Sequence, residues 1–170
     1  MKTDPSMDMD MGRGMSRERI IAHVRGFDGS HVVLPEAGGG FPELVWGDAF
    51  FSYSPDGPPP PTLQPYGTIV TKDYPGDAAS ALGPGRWRVN VHVERAVFRE
   101  LTGEEPRDLR LPRDPAAADT LVPHPVYGQL GWVCVVNPGA RTAGTVLRLL
   151  RGAHEAARAR ASRRRAGGAP

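Results

Sequence analysis

The chain has one cysteine, Cys134, among 170 residues. That excludes an internal disulfide and any metal centre built on several thiolates. Long apolar runs are missing too, since no stretch approaches the roughly 18 apolar residues that a membrane-spanning helix needs. The first residues, MKTDPSMDMDMGRGM, carry acids where a secretory signal has its apolar segment. A cytoplasmic protein without membrane contact is expected. The chain also lacks a P-loop, a dinucleotide-binding G-x-G-x-x-G, a G-x-S-x-G elbow, an H-E-x-x-H pair and an EF-hand loop. No cofactor is implied.

What is present is the mix of one globular domain, 39% apolar and 24% charged. The 21 glycines and 18 prolines cluster between apolar runs, which implies loops rather than a disordered chain. Residues 1–15 read as a loose tail, 16–160 as one domain and 161–170 as a flexible basic tail. Charge is uneven: the last thirty residues hold eight arginines against Glu155, a net +7, and the remainder carries −5. Such an end attracts phosphate backbones by counterion release. Cations also suit the C-terminal end of a helix, so a nucleic-acid partner is the alternative and not the leading expectation.

Ile20, Val24 and Phe27 recur at helical spacing after Ser16, predicting a helix over 17–25 that ends at Gly26. A strand is expected over His31–Leu34. Glu43–Tyr53 reads as a strand interrupted at Gly47-Asp48, followed by an extended proline-rich connection over Pro55–Pro65. Tyr66–Lys72 is β-branched and should be a strand. Between Arg86 and Val93, Trp87, Val89, Val91 and Val93 alternate with Arg86, Arg88, Asn90 and His92, the mark of a strand with one dry and one polar face. A short helix follows. Residues 104–122 form a long connection, either a lid or an ordered excursion. Trp132–Val136, apolar throughout, reads as the central strand, and Thr142–Arg160 as an amphipathic helix. The sum is an α+β fold: a mostly antiparallel sheet of about five strands packed against an N-terminal and a C-terminal helix.

Three groups exceed what folding requires. On the alternating strand, Arg86, Arg88, Asn90 and His92 point one way, so two guanidiniums could clamp a carboxylate or phosphate. A solvent-facing sheet surface would look the same. His124, between Pro123 and Pro125, has a constrained backbone that suits proton transfer, with Tyr127 beside it as auxiliary; a backbone-satisfied histidine is the plainer reading. Trp46 and Asp48 with Lys72 place an acid, a base and an aromatic at strand ends, or simply form an ion pair of small worth. His92, His124 and Asp48 have the composition of a two-His-one-carboxylate site without its spacing, and no metal is expected.

WGDAFF at 46–51, TIVTKDYP at 68–75, RVNV at 88–91 and HPVYGQLGWVCVVNP at 124–138 together resemble an uncharacterised family of small actinobacterial proteins, domain of unknown function number 6194, over about residues 16–160. The closing pattern of HP, GW, an apolar strand, NP and an amphipathic helix is more distantly similar to luciferase-type and MmcQ/YjbR-like small α+β domains. These resemblances imply an antiparallel sheet against helices and transfer no activity. The expected function is binding of a small polar or anionic ligand at the open sheet face, walled by His124, Tyr127, Asn90, Arg88, Asp48 and Lys72. A His124-dependent small-molecule enzyme is its catalytic variant. Both require these side chains to share a hollow.

Overall fold

The computed structural model describes residues 15–168. Apart from Met15, the tail expected at 1–15 lies outside them, as do the last two residues. Helix α1 spans Arg17–Arg25, where it was expected, and the Ser16 side chain caps it by accepting from the Arg19 amide at 3.1 Å. The strands are β1 (Ser30–Val33), β2 (Ala49–Tyr53), β3 (Gly67–Val70), β4 (Arg88–His92), β5 (Leu121–Pro123) and β6 (Trp132–Val136). Helix α2 (Arg95–Thr102) follows β4, and α3 (Ala143–Gly167) closes the described chain. The sheet order is β1-β2-β3-β4-β6-β5, and every neighbouring pair is antiparallel.

Helices α1 and α3 lie on one face of this sheet. Phe51, Ile69, Val89, Val91, Val133 and Val135 meet Ile20, Val24, Val146 and Leu150 there, the core predicted by the alternation in β4 and the stripe in α3. Each such side chain removed from water contributes roughly 1.5–3 kcal/mol. Gly67 allows the close approach of α3, because a Cβ at that point would sit 3.0 Å from Leu150 and 3.2 Å from Phe51.

Four expectations change. Glu43–Val45 is a 3-10 turn, so β2 begins only after Gly47, whose φ of 84° turns the chain into it. Trp132–Val136 is buried on both faces but stands one strand from the edge, because the chain first lays down β5 beyond it. Helix α3 runs on to Gly167, seven residues past the expected end at 160. Most consequential, the polar face of β4 is not open: Arg88 is 2% and Asn90 3% exposed.

That second face is covered by the connection between β3 and β4 and by the segment between α2 and β6. The second segment is an ordered excursion tied down by carboxylates. Glu104 accepts from the amides of Arg110 and Leu111 and from the Arg113 guanidinium, which also donates to the Thr102 carbonyl at 2.6 Å. Further on, Asp119 accepts from the amides of Gly139, Arg141 and Thr142 and from the Thr142 hydroxyl, pinning the turn that leads into α3. Burial works to raise the Asp119 carboxyl, but these bonds hold it below its ordinary value.

Candidate functional site

Alternation along β4 sends Arg88 and Asn90 to the face away from the helices, and the coverings supply their partners. Arg88 Nε donates to Asn90 Oδ1 at 2.8 Å, and Nη1 to Asp77 Oδ1 at 3.1 Å and Ser80 Oγ at 2.9 Å. Nη2 donates to Asp77 Oδ2 at 2.5 Å and stands 3.0 Å from His124 Nε2. Asn90 Nδ2 donates in turn to Thr68 Oγ1 at 2.9 Å. The guanidinium expected to clamp a ligand is thus spent on a bidentate internal carboxylate. Asp77 and Ser80 went unnoticed in the sequence because they sit in a turn-rich loop with no period.

His124 is 5% exposed. Its Nδ1 accepts from the amides of Val126 and Tyr127, both at 3.0 Å, which fixes the ring proton on Nε2. That nitrogen faces Asp77 Oδ2 at 3.7 Å. Protonating Nδ1 would break both backbone bonds. Burial first, then the Arg88 charge, push the imidazole down to about 4 against the opposing pull of Asp77. Burial works to raise Asp77 in return, but the Arg88 bonds and charge, with His124, keep it below the carboxylate norm. Tyr127 lies over the ring at 4.9 Å and is half exposed. Beneath the same coverings is Cys134, paired with Asn90 across β4 and β6. Burial pushes its thiol up to about 12, the state of an inert core residue.

Trp46, Asp48 and Lys72 gather apart from that centre. Lys72 Nζ donates to the carbonyls of Leu44 at 2.8 Å and Trp46 at 2.7 Å, and stands 3.6 Å from Asp48 Oδ1. Asp48, 1% exposed, accepts from the Thr71 amide and hydroxyl and from the Tyr74 hydroxyl. Burial, with the Asp48 bond and charge, raises the Tyr74 phenol. The Trp46 ring donates to the Phe41 carbonyl at 3.0 Å. Tyr74 links the two clusters, since its carbonyl accepts from the Asp77 amide at 2.8 Å. The result is a latch on the β3–β4 connection.

His92 is the exception. It stands at the far end of β4, half-buried, and lines three grooves, of about 690, 450 and 440 Å³. Arg88, Asn90 and His124 line none of these. The middle groove differs from the other two in charge: Arg160 and Arg164 are its charged residues, with no acid among the lining. The first sets Glu94 and Glu105 against Arg95 and Arg107, and the third sets Glu94 and Glu155 against Arg148 and Arg160.

Arg160 and Arg164 were legible in part. The stripe Val146, Leu150, Ala153, Ala157 continues at the same three- and four-residue spacing into 160 and 164. These two arginines therefore occupy core-facing positions where α3 has outrun the sheet, and the expected helix end at 160 concealed this. Other basic residues of α3 are engaged: Arg165 with Asp56 at 2.9 Å, Arg158 near Asp28 at 3.9 Å, and Arg151 over the Phe27 ring at 5.1 Å. His154, buried at 4% exposure, bonds the Tyr66 hydroxyl at 2.9 Å and the Asp28 carbonyl at 2.7 Å, and so anchors α3 over the sheet.

Among the described residues, no group of three His, Cys, Asp or Glu is placed to hold a metal, and no helix is long and apolar enough to cross a membrane. No curated protein and no solved structure matches the chain. Residues 15–166 match the family of unknown function DUF6194, and the chain belongs to that family.

Proposed function

We propose that the protein binds a small organic anion in the groove beneath the overhanging end of α3, with Arg160 and Arg164 as the anion's partners. The observation that carries this reading is the pair itself: two guanidiniums at core-facing positions, over a groove of about 450 Å³ that contains no acid. Neither has a carboxylate within ion-pair distance among the described residues. A groove of this size falls in the range of roughly 300–1,000 Å³ typical of small-ligand sites. Its polar residues, Ser52, Gln64 and His92, are few against an aromatic and aliphatic lining, the balance such sites favour. The ligand class expected from the sequence is retained, and its place moves from the middle of β4 to the strand's end. His124 carries no chemistry in this reading; it belongs to the latch.

A thermal-shift screen of phosphate monoesters and carboxylates tests the proposal, with hits quantified by calorimetry on wild type, Arg160→Ala/Arg164→Ala and Arg163→Ala. Charge-assisted hydrogen bonds contribute about 1.5–3 kcal/mol each, so the double variant should lose on the order of 100-fold in affinity. Arg163→Ala, on another face of the helix, should change affinity less than about twofold. Anion binding that survives in the double variant contradicts the reading.

A further inference from the structure

Helix α3 has three sides, and two of them are covered. Val146, Leu150, Ala153 and His154 are buried against the sheet, and Arg151 reaches the Phe27 ring just beyond α1. The third side carries Thr145, Gly152 and Ala159, seven residues apart and so in one line along the helix. Gly152 and Ala159 are exposed. On one flank of that line, Leu149 and Ala156 with Val97 of α2 line the groove of about 440 Å³ between the two helices.

Gly152 does not serve the fold of a single chain. Glycine is the poorest helix former after proline, yet this one stands in the middle of α3. A Cβ there would meet nothing within 4 Å, so no neighbour inside the chain requires its absence. What a glycine gives at such a point is room for another backbone to come close.

The charges on the same face say whose backbone. Arg148 stands four residues before Gly152 and Glu155 three after it, on one flank of the line, separated by about 20° of rotation. Both are exposed. Arg148 donates to the Thr145 hydroxyl at 3.1 Å, and neither it nor Glu155 has an opposite charge within ion-pair distance among the described residues. A second α3, laid antiparallel about a twofold axis at Gly152, runs the same order in reverse. Its position 155 then falls within about 1.5 Å, measured along the helix, of position 148 in the first copy. Base followed by acid is complementary to its own reverse, so one contact answers both charges twice over.

We infer that α3 pairs with α3 of a second copy of this chain, crossing at Gly152, with two reciprocal Arg148–Glu155 ion pairs on one flank. On the other flank, Leu149 of each copy enters its partner's groove between α2 and α3, over Ala156. This pairing needs no anion in the groove beneath α3.

Sedimentation velocity of the full chain tests it. From micromolar to near-millimolar protein, the mass should move from 18.3 kDa toward twice that value. Gly152→Gln places a better helix former, with a bulky side chain, at the crossing; it should keep or raise the melting temperature and weaken association by roughly tenfold or more. Arg148→Glu and Glu155→Arg each turn two attractions into two repulsions, and each should weaken association about tenfold at low salt. Mixed in equal amounts, these two charge variants should pair with each other as tightly as wild type pairs with itself, because each flank then faces its opposite. A chain that stays monomeric throughout overturns the inference. So does a dimer indifferent to Gly152→Gln, or a mixture of the charge variants that associates no better than either alone; both place the contact elsewhere.

Discussion

Two arginine sites stand at opposite ends of the same sheet, and they differ in what answers the charge. Arg88 is buried, with Asp77 across its fork and Ser80, Asn90 and His124 around it. Arg160 and Arg164 project over a groove with no acid in its lining. The residue type is the same, but a guanidinium answered by a bidentate carboxylate inside the protein holds the fold, while one left open over a hollow is free to hold something else. Sequence position alone favours Arg88, because the alternation in β4 marks it as outward-facing and cannot show the loop that buries it.

Breaking the closed site should have the largest effect. Arg88→Ala leaves the Asp77 carboxylate, 13% exposed, beside an empty space, and removing one member of a largely buried pair costs about 3 kcal/mol. Urea denaturation should show that loss, and a change under about 1 kcal/mol would mean the network does not hold the loop. Acid should undo part of the same network. With His124 held near pKa 4 in the folded protein and an ordinary value of 6.5 in the unfolded chain, the unfolded state binds the extra proton between those limits. Stability is therefore full above about pH 6.5 and falls by on the order of 2–3 kcal/mol as pH drops toward 4. The lowered Asp77 carboxyl adds a loss of the same sign at still lower pH. Denaturation midpoints that stay level from pH 7 to 4.5 would contradict this.

Cys134 reports on the covering itself. At 2% exposure with a raised thiol, it should react with iodoacetamide only through opening of the fold, and Arg88→Ala should speed labelling by roughly tenfold or more. Equal rates in the two proteins would place the thiol's protection elsewhere. Smallest of all, Arg160→Ala/Arg164→Ala should change stability by no more than about 0.5 kcal/mol per site, as expected of side chains without partners. A larger loss would move these arginines into the structural class.

Period and capping were the legible part of this fold. Ser16 and Gly26 bound α1, the two-residue alternation of 86–93 marks β4, and the stripe from Val146 to Ala157 marks the buried side of α3. Strand order was not legible, since β5 is three residues long and sits at the end of a proline-broken excursion with no pattern of its own. The candidate site was half visible. His92, Arg88, Asn90 and His124 all stand at special positions, but which of them faces a cavity depends on Asp77 and Ser80, whose contacts with Arg88 are made by tertiary folding. The basic continuation of the α3 stripe was written in the spacing, and only the length of the sheet decides that residues 160 and 164 overhang it.

The contrast between the two ends of the sheet can be read in one experiment: a two-dimensional amide NMR titration of the full chain with a phosphate monoester. The account predicts that shift changes gather at Ser52, Gln64, His92 and residues 157–164, with the amides around Asp77, Arg88 and His124 unmoved. Shifts centred on Asp77, Arg88 and His124, with the groove beneath α3 silent, would contradict it.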